Sequence, residues 1–164
     1  MQRGLLADVV GGWQLSGIFS YQAGRPFTVY DAASNTSGSY NGADRPNVTG
    51  DPNGPNPNGT KIRTVKQWFN TGAYTVQSAG TFGNARRNSL IGPHFINLDT
   101  SLVRNIPVHD SKFIELRLEA FNLANHPNFY NPRTTAINVG NASFGQISNA
   151  YSQRELQGAV RFVF

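Results

Sequence analysis

Four segments of the chain alternate between apolar and polar residues with a period of two, which is typical of β-strands with two different faces. The segments span about residues 8–30, 94–106, 111–124 and 154–164. This alternation fits two folds, a soluble β-sandwich and an outer-membrane barrel in which one row meets lipid and the other a watery lumen. The lengths of the connections between the strands can distinguish these two folds.

The connections differ greatly in length. Residues 31–93 and 125–153 are long and rich in Asn, Gly, Pro and Ser, and we predict that both are loops. Residues 31–59 cannot bury enough apolar surface to fold alone, whereas residues 61–88 carry several aromatic side chains and are expected to form an ordered loop. Between the two long loops lies a short, turn-like link over 105–111. The order long, short, long is typical of outer-membrane barrels, which have tight periplasmic turns and long outer loops. The sequence therefore predicts an all-β fold of antiparallel membrane-spanning strands that ends in the periplasm.

The alternation also predicts which side chains meet lipid and which meet the lumen. Charges at alternate positions of the third strand lie in one row, so that row cannot face hydrocarbon. The predicted lipid-facing residues are Leu15, Phe19, Leu98, Leu102, Ile114, Leu116, Leu118, Val160 and Phe162. The predicted lumen-facing residues are Asn97, Asp99, Glu115, Arg117, Glu119 and Arg161, together with Gln14 and Ser16.

Composition and charge exclude several other classes of protein. The chain has 17 Gly, 11 Phe and only 38% hydrophobic residues, without an apolar run long enough for a spanning helix. Its net charge of +5 comes from scattered Lys and Arg, so we expect no nucleic-acid partner. The absence of cysteine excludes disulfides and thiolate metal sites.

We find no pattern of catalytic or metal-binding residues. His94, His109 and His126 have no partner at the spacing of metal ligands. Glu115 and Glu119, four apart on a strand, would be separated by about 13 Å, too far for either glycosidase geometry. The sequence also lacks a G-x-S-x-G elbow and a phosphate-binding loop. We therefore expect neither an enzyme nor a bound metal or other cofactor.

Short motifs along nearly the whole chain resemble those of TonB-dependent outer-membrane receptors. The resemblance is to the Oar-like receptors of Acidobacteria, which carry a carboxypeptidase-regulatory-like domain. The most specific motif is Phe121-Asn122-Leu123-Ala124-Asn125-His126-Pro127-Asn128-Phe129. The others are Gly12-Trp13-Gln14-Leu15-Ser16-Gly17-Ile18, Gly24-Arg25-Pro26-Phe27-Thr28, Trp68-Phe69-Asn70, the run from Gly80 to Asn88, Asn97-Leu98-Asp99-Thr100-Ser101-Leu102 and Phe144-Gly145-Gln146-Ile147.

The resemblance implies the C-terminal part of a transmembrane β-barrel of about 22 strands that is closed by a plug. Such a receptor takes up a scarce ligand with energy relayed by TonB. The implied partners are outer-membrane lipid, the remainder of the barrel and the plug, TonB through the N-terminal part, and the barrel-assembly machinery. That machinery would recognise a terminal signal that matches Gln157, Phe162 and Phe164, although Ala159 stands where the family favours glycine.

Two further expectations concern parts that the sequence does not contain. We recognise no signal peptide at the start of the chain, so a targeting segment and the plug are expected upstream of Met1. We accordingly expect this segment not to transport by itself.

The alternative to a barrel is a soluble extracellular β-sandwich that binds glycan or protein through Tyr40, Trp68, Phe69 and Tyr74. Two local expectations accompany these hypotheses. One is an interfacial aromatic girdle formed by Trp13, Tyr21, Phe27 and Tyr30, which in a soluble sheet would instead be packed in the core. The other is a helical turn near Val65 to Phe69.

Overall fold

A computed structural model describes residues 11–31, 36–39 and 43–164. The chain divides into two units. The sheet unit contains residues 11–22, 95–127 and 152–164, and the loop unit contains the described residues of 23–94 and 128–151. No helix among the described residues is long and apolar enough to cross a membrane.

The sheet unit is built on one antiparallel sheet of four strands. Its strands are β1 (Trp13–Gln22), β7 (Phe95–His109), β8 (Lys112–Phe121) and β10 (Glu155–Val163), in the order β1-β7-β8-β10. The register places Leu15 opposite Leu102, Leu102 opposite Leu118, and Leu118 opposite Gly158. Because paired residues point to the same side, this register sets the composition of each face along the whole sheet.

The strand ends differ from those predicted. The first strand does not run from 8 to 30: its described part ends at Gln22, and residues 8–10 lie outside the described residues. β7 continues through Pro107 to His109, so the link predicted over 105–111 shrinks to Asp110 and Ser111. A register shift between Pro107 and His109 accommodates the proline, which has no N–H for the ladder.

The third strand is also shorter than the predicted span of 111–124. β8 ends at Phe121, and the next residue, Asn122, has a φ of 50°. An extended strand cannot continue through this left-handed conformation, which asparagine tolerates better than most residues.

The loop unit contains six two-residue strands and two short 3-10 turns. The strands are β2 (Pro26–Phe27), β3 (Tyr30–Asp31), β4 (Asn47–Val48), β5 (Tyr74–Thr75), β6 (Leu90–Ile91) and β9 (Asn138–Val139), which pair as β2 with β6, β3 with β9 and β4 with β5. The turns are Thr71–Ala73 and Thr134–Ile137. The helical turn predicted near Val65 to Phe69 is absent from these described residues.

The loop unit has a hydrophobic core, to which both of the predicted long loops contribute. Phe69 is fully buried and its ring lies 5.2 Å from that of Phe144 and 5.9 Å from that of Tyr74. The core residues are Phe27, Val29, Phe69, Ala73, Tyr74, Ala85, Leu90 and Val139. They are far apart in sequence, so average composition concealed a core that forms only when the segments meet.

Glycines bring these segments close together. A Cβ on Gly83 would lie 1.9 Å from the backbone oxygen of Arg45, and one on Gly24 would lie 1.9 Å from that of Gly92. Glycine is the residue that permits such close backbone approaches. Beside these glycines, backbone hydrogen bonds from the Gly92 N–H to the Arg25 carbonyl and from the Ala85 N–H to the Pro46 carbonyl, each 3.0 Å long, join the segments.

Candidate membrane and lumen faces

One face of the sheet is almost continuously apolar, and we call it the apolar face. It consists of Trp13, Leu15, Gly17, Phe19 and Tyr21 of β1 and the even-numbered residues 96–106, 114–120 and 156–162 of the other strands. Leu118 is 54% exposed and Val160 is 74% exposed. Large aliphatic side chains on regular strands are normally covered, so a face of this size and exposure needs an apolar environment.

The height of the apolar face matches a bilayer. From Ile96 to Ile106 the strand covers about 33 Å along its own axis. A strand tilt of about 40° reduces this to about 25 Å along the membrane normal, which is the height of the apolar band on outer-membrane barrels.

The opposite face carries the acidic residues of the four strands, and we call it the polar face. The carboxylate of Glu115 lies 3.1 Å from the guanidinium of Arg117, and Arg161 is paired in register with Glu115. This face is mixed, because Ile18 and Val103 also lie on it. Such a surface is suited to water and to polar protein, and it is unsuited to hydrocarbon.

The structure brings the predicted site residues together as two sets on opposite faces. Every residue predicted to face lipid is on the apolar face, and every residue predicted to face the lumen is on the polar face. The strand register determines which of these residues share a face. The register alone does not determine which face meets lipid and which meets the lumen.

The Phe121-to-Phe129 motif makes a turn where β8 ends. The Asn122 side chain is buried, donates from Nδ2 to the carbonyl oxygens of His126 (3.1 Å) and Ser152 (3.4 Å), and accepts at Oδ1 from the His126 N–H (3.0 Å). The Asn122 N–H donates to the Asp99 carboxylate, 2.8 Å away. One asparagine thus links β7, the end of β8 and the residues before β10, a role that the motif did not reveal.

The predicted assembly-signal residues lie at the end of β10. Gln157 is on the polar face opposite Glu119, and Phe162 is on the apolar face opposite Ile114. The Phe162 and Phe164 rings stack with their centroids 6.0 Å apart. Among the described strands β10 pairs with β8 alone, so its other edge is available for pairing during barrel assembly.

Comparison with known protein families agrees with this geometry. Residues 1–157 match the family model described as outer membrane beta barrel domain. The chain belongs to this family. Outer membrane beta barrel domains reside in the bacterial outer membrane, so this is the location of the chain. No curated protein and no solved structure matches it.

The described residues of the aromatic binding surface proposed for a soluble sandwich do not lie together on an exposed surface. Phe69 and Tyr74 are buried in the core of the loop unit, and Tyr40 lies outside the described residues. Trp68 is partly buried, and its Nε1 donates to the Ile91 carbonyl oxygen at 2.8 Å. Because Trp68, Phe69 and Tyr74 are buried or half-buried in the loop unit, they do not form an exposed platform for a ligand.

The predicted aromatic girdle is likewise only partly formed on the sheet. Trp13 and Tyr21 lie on the apolar face, but Phe27 belongs to the loop-unit core and Tyr30 to β3 of the same unit.

Burial raises the pKa of Tyr74 above its usual value, and the Ser89 hydroxyl opposes this shift. Within the described residues we find no cluster of three or more potential metal ligands.

Proposed function

We propose that this chain is the C-terminal barrel segment of a TonB-dependent, Oar-like receptor that takes up a scarce ligand through the outer membrane. In this proposal the apolar face contacts lipid, and the polar face contacts the lumen and the plug. The segregation of the two sets of side chains over all four strands is the observation that supports it. The segment itself is not an enzyme and holds no cofactor; its role is to form part of the barrel wall.

The edges of the sheet support a larger barrel. β1 and β10 are the outer strands of the described sheet, and each pairs on one side only. Unpaired backbone groups are not tolerated in hydrocarbon, and membrane barrels have at least eight strands. Further strands must therefore pair with both edges. The motifs that resemble those of TonB-dependent receptors favour a barrel of that class.

The long connections support a receptor with an elaborate outer surface. Both leave the same end of the sheet, because β1 ends and β7 begins there, as β8 ends and β10 begins. Both contribute to the core of the loop unit, through Phe69 from one segment and Val139 from the other. A folded unit formed by long connections is suited to ligand capture, and the opposite end of the sheet has only the Asp110-Ser111 turn.

The orientation of the faces can be tested on two adjacent residues. The chain has no cysteine, so Val160→Cys and Ala159→Cys can each carry a single spin label on β10. In the barrel reconstituted in vesicles, the label at 160 is expected to collide with oxygen, which concentrates in lipid, and the label at 159 with a water-soluble nickel chelate. The reverse pattern, or equal accessibility, would reject the proposed orientation.

The link to TonB requires a separate test on the intact outer-membrane protein. Its purified form is expected to bind the periplasmic domain of TonB, and cross-linking in cells should recover the same complex. If orientation is as proposed but no TonB complex forms, the segment belongs to another class of outer-membrane barrel.

A further inference from the structure

A cation lies within the apolar face. Arg104 of β7 is opposite Trp13 of β1 and Leu116 of β8, and Leu116 is opposite Val160 of β10. The guanidinium carbon of Arg104 is 5.5 Å from the centre of the Trp13 ring, a cation–π geometry. The ring contacts the flat face of the guanidinium, whereas the five N–H donors of an arginine lie in the guanidinium plane.

Charge is divided unequally between the two faces. The acidic residues of the four strands, Asp99, Glu115, Glu119 and Glu155, all lie on the polar face. On the apolar face the charged residues of these strands are Arg104 and, beside the short turn, Lys112. Lys112 is paired with His109, whose Nε2 lies 3.1 Å from the Asp110 carboxylate. The strands of the apolar face therefore present cations and no carboxylate, and the carboxylate at this end belongs to Asp110 of the turn.

The position of Arg104 places it in the periplasmic half of the bilayer. It lies one row inside Ile106 and on the turn side of Leu102, and the proposed orientation puts this turn in the periplasm. A charged residue facing lipid costs most at the midplane and little near the interface. An arginine at this depth can extend its guanidinium towards the lipid phosphates while its methylene stem stays in the acyl region.

A depression adjoins this cation on the side of the membrane midplane. Its volume is about 400 Å³, and its lining on the apolar face is Leu15, Thr100, Leu102, Leu118, Ala120, Leu156 and Gly158. Glu119 and Gln157, whose side chains belong to the polar face, also line it. Gly158 and Thr100 are small, so the surface is recessed between the larger leucines. The depression begins one row from Arg104 and extends away from the turn, which is the direction in which an acyl chain leaves a phosphate held near Arg104.

We propose that Arg104 and Trp13 bind an anionic glycerophospholipid of the periplasmic leaflet. The Arg104 guanidinium donates to the phosphate, the Trp13 ring holds the guanidinium in place, and an acyl chain lies in the depression. Anionic lipid is favoured because the apolar face carries no acidic side chain in its described strands, and each basic residue near a membrane surface attracts such lipids. This proposal rests on the proposed membrane orientation of the apolar face.

The test places a bimane fluorophore on Val160→Cys, in the same row as Arg104, in the complete reconstituted barrel. Vesicles of phosphatidylcholine contain a small fraction of doxyl-labelled phosphatidylglycerol or, in a parallel sample, doxyl-labelled phosphatidylcholine. The anionic lipid is expected to quench the fluorophore more strongly. Arg104→Gln should reduce this preference by about fivefold, and raising the salt concentration should weaken it in the unsubstituted barrel.

Arg161→Gln is the matched control, because Arg161 lies on the polar face at a similar depth. It is expected to leave the quenching preference unchanged. An unchanged preference in Arg104→Gln, or an equal loss in Arg161→Gln, would overturn the lipid site while leaving the orientation intact. If neither labelled lipid quenches the fluorophore, the orientation itself is wrong and both proposals fail.

Discussion

In the sheet unit, Phe19 is 67% exposed on a regular strand, whereas in the loop unit Phe69 is fully buried among segments with almost no regular secondary structure. Two phenylalanines of one chain thus occupy opposite environments. The loop unit buries its apolar side chains as a water-soluble protein does. The sheet presents them outward, as expected where the solvent is lipid. The sheet therefore combines a regular backbone with exposed apolar side chains, whereas the loop unit combines an irregular backbone with buried apolar side chains.

The largest expected effect comes from truncating these two phenylalanines. Phe69→Ala should destabilise the loop unit by about 3–5 kcal/mol, because it removes a ring at the centre of an aromatic cluster. Phe19→Ala should change the stability of the sheet by about 1 kcal/mol or less. The chain has two tryptophans, Trp68 in the loop unit and Trp13 in the sheet. Urea unfolding followed by fluorescence in a Trp13→Phe or a Trp68→Phe background therefore reports on one unit at a time. Similar losses for both variants would contradict the comparison.

A smaller effect is expected from arginine on either side of β8. Leu118→Arg should weaken insertion of the barrel by about 2–4 kcal/mol, because Leu118 lies near the middle of the apolar face. Glu119→Arg is its neighbour on the polar face and should cost much less. Folding equilibria in vesicles measure both. A cost for Glu119→Arg as large as that for Leu118→Arg would mean that the faces do not differ in environment.

The sheet could be predicted from sequence because each of its strands carries its own evidence. Alternation is local, so the faces of residues such as Leu118 and Glu119 followed directly from their parity. The end of β7 was missed because Pro107 resembles the start of a turn, although a register shift lets the strand continue. Asn122 ends β8 for a reason visible only in three dimensions, since its partners include Asp99 and Ser152.

The loop unit could not be predicted in the same way. Phe27, Phe69 and Val139 come from distant parts of the chain, and polar residues around each of them conceal the common core. The motifs containing Gly24, Gly83 and Phe69 resemble those of a receptor family, but the resemblance does not indicate their structural role. Only the contacts in three dimensions show that these residues lie where loop segments pack together.

The close approach of backbone segments at Gly83 can be tested by adding one methyl group there. Gly83→Ala should destabilise the loop unit by about 1–3 kcal/mol, because its Cβ would overlap the backbone oxygens of Arg45 and Pro46. Gly50→Ala is the control, since a Cβ there meets Ala73 at an ordinary distance of 3.7 Å. Trp68 fluorescence in urea should record the loss for Gly83→Ala alone, and Trp13 fluorescence should record neither. An equal loss for the two glycines would show that close backbone approach is not what limits the loop unit.

The smallest expected effect is a pH dependence confined to the loop unit. Burial raises the pKa of Tyr74 above the ordinary tyrosine value of 10.0, so its neutral form is favoured in the folded state. Below pH 10 the phenol is neutral in both states and contributes no slope. Above it the unfolded chain ionises first, and the stability of the loop unit falls with rising pH until the folded pKa is passed. Tyr74→Phe should remove this part of the slope in urea titrations followed by Trp68, while Tyr21→Phe, on the exposed apolar face, should leave it in place. If the slope survives in Tyr74→Phe, another group titrates with unfolding of the loop unit, and the burial of Tyr74 has no measurable linkage to its stability.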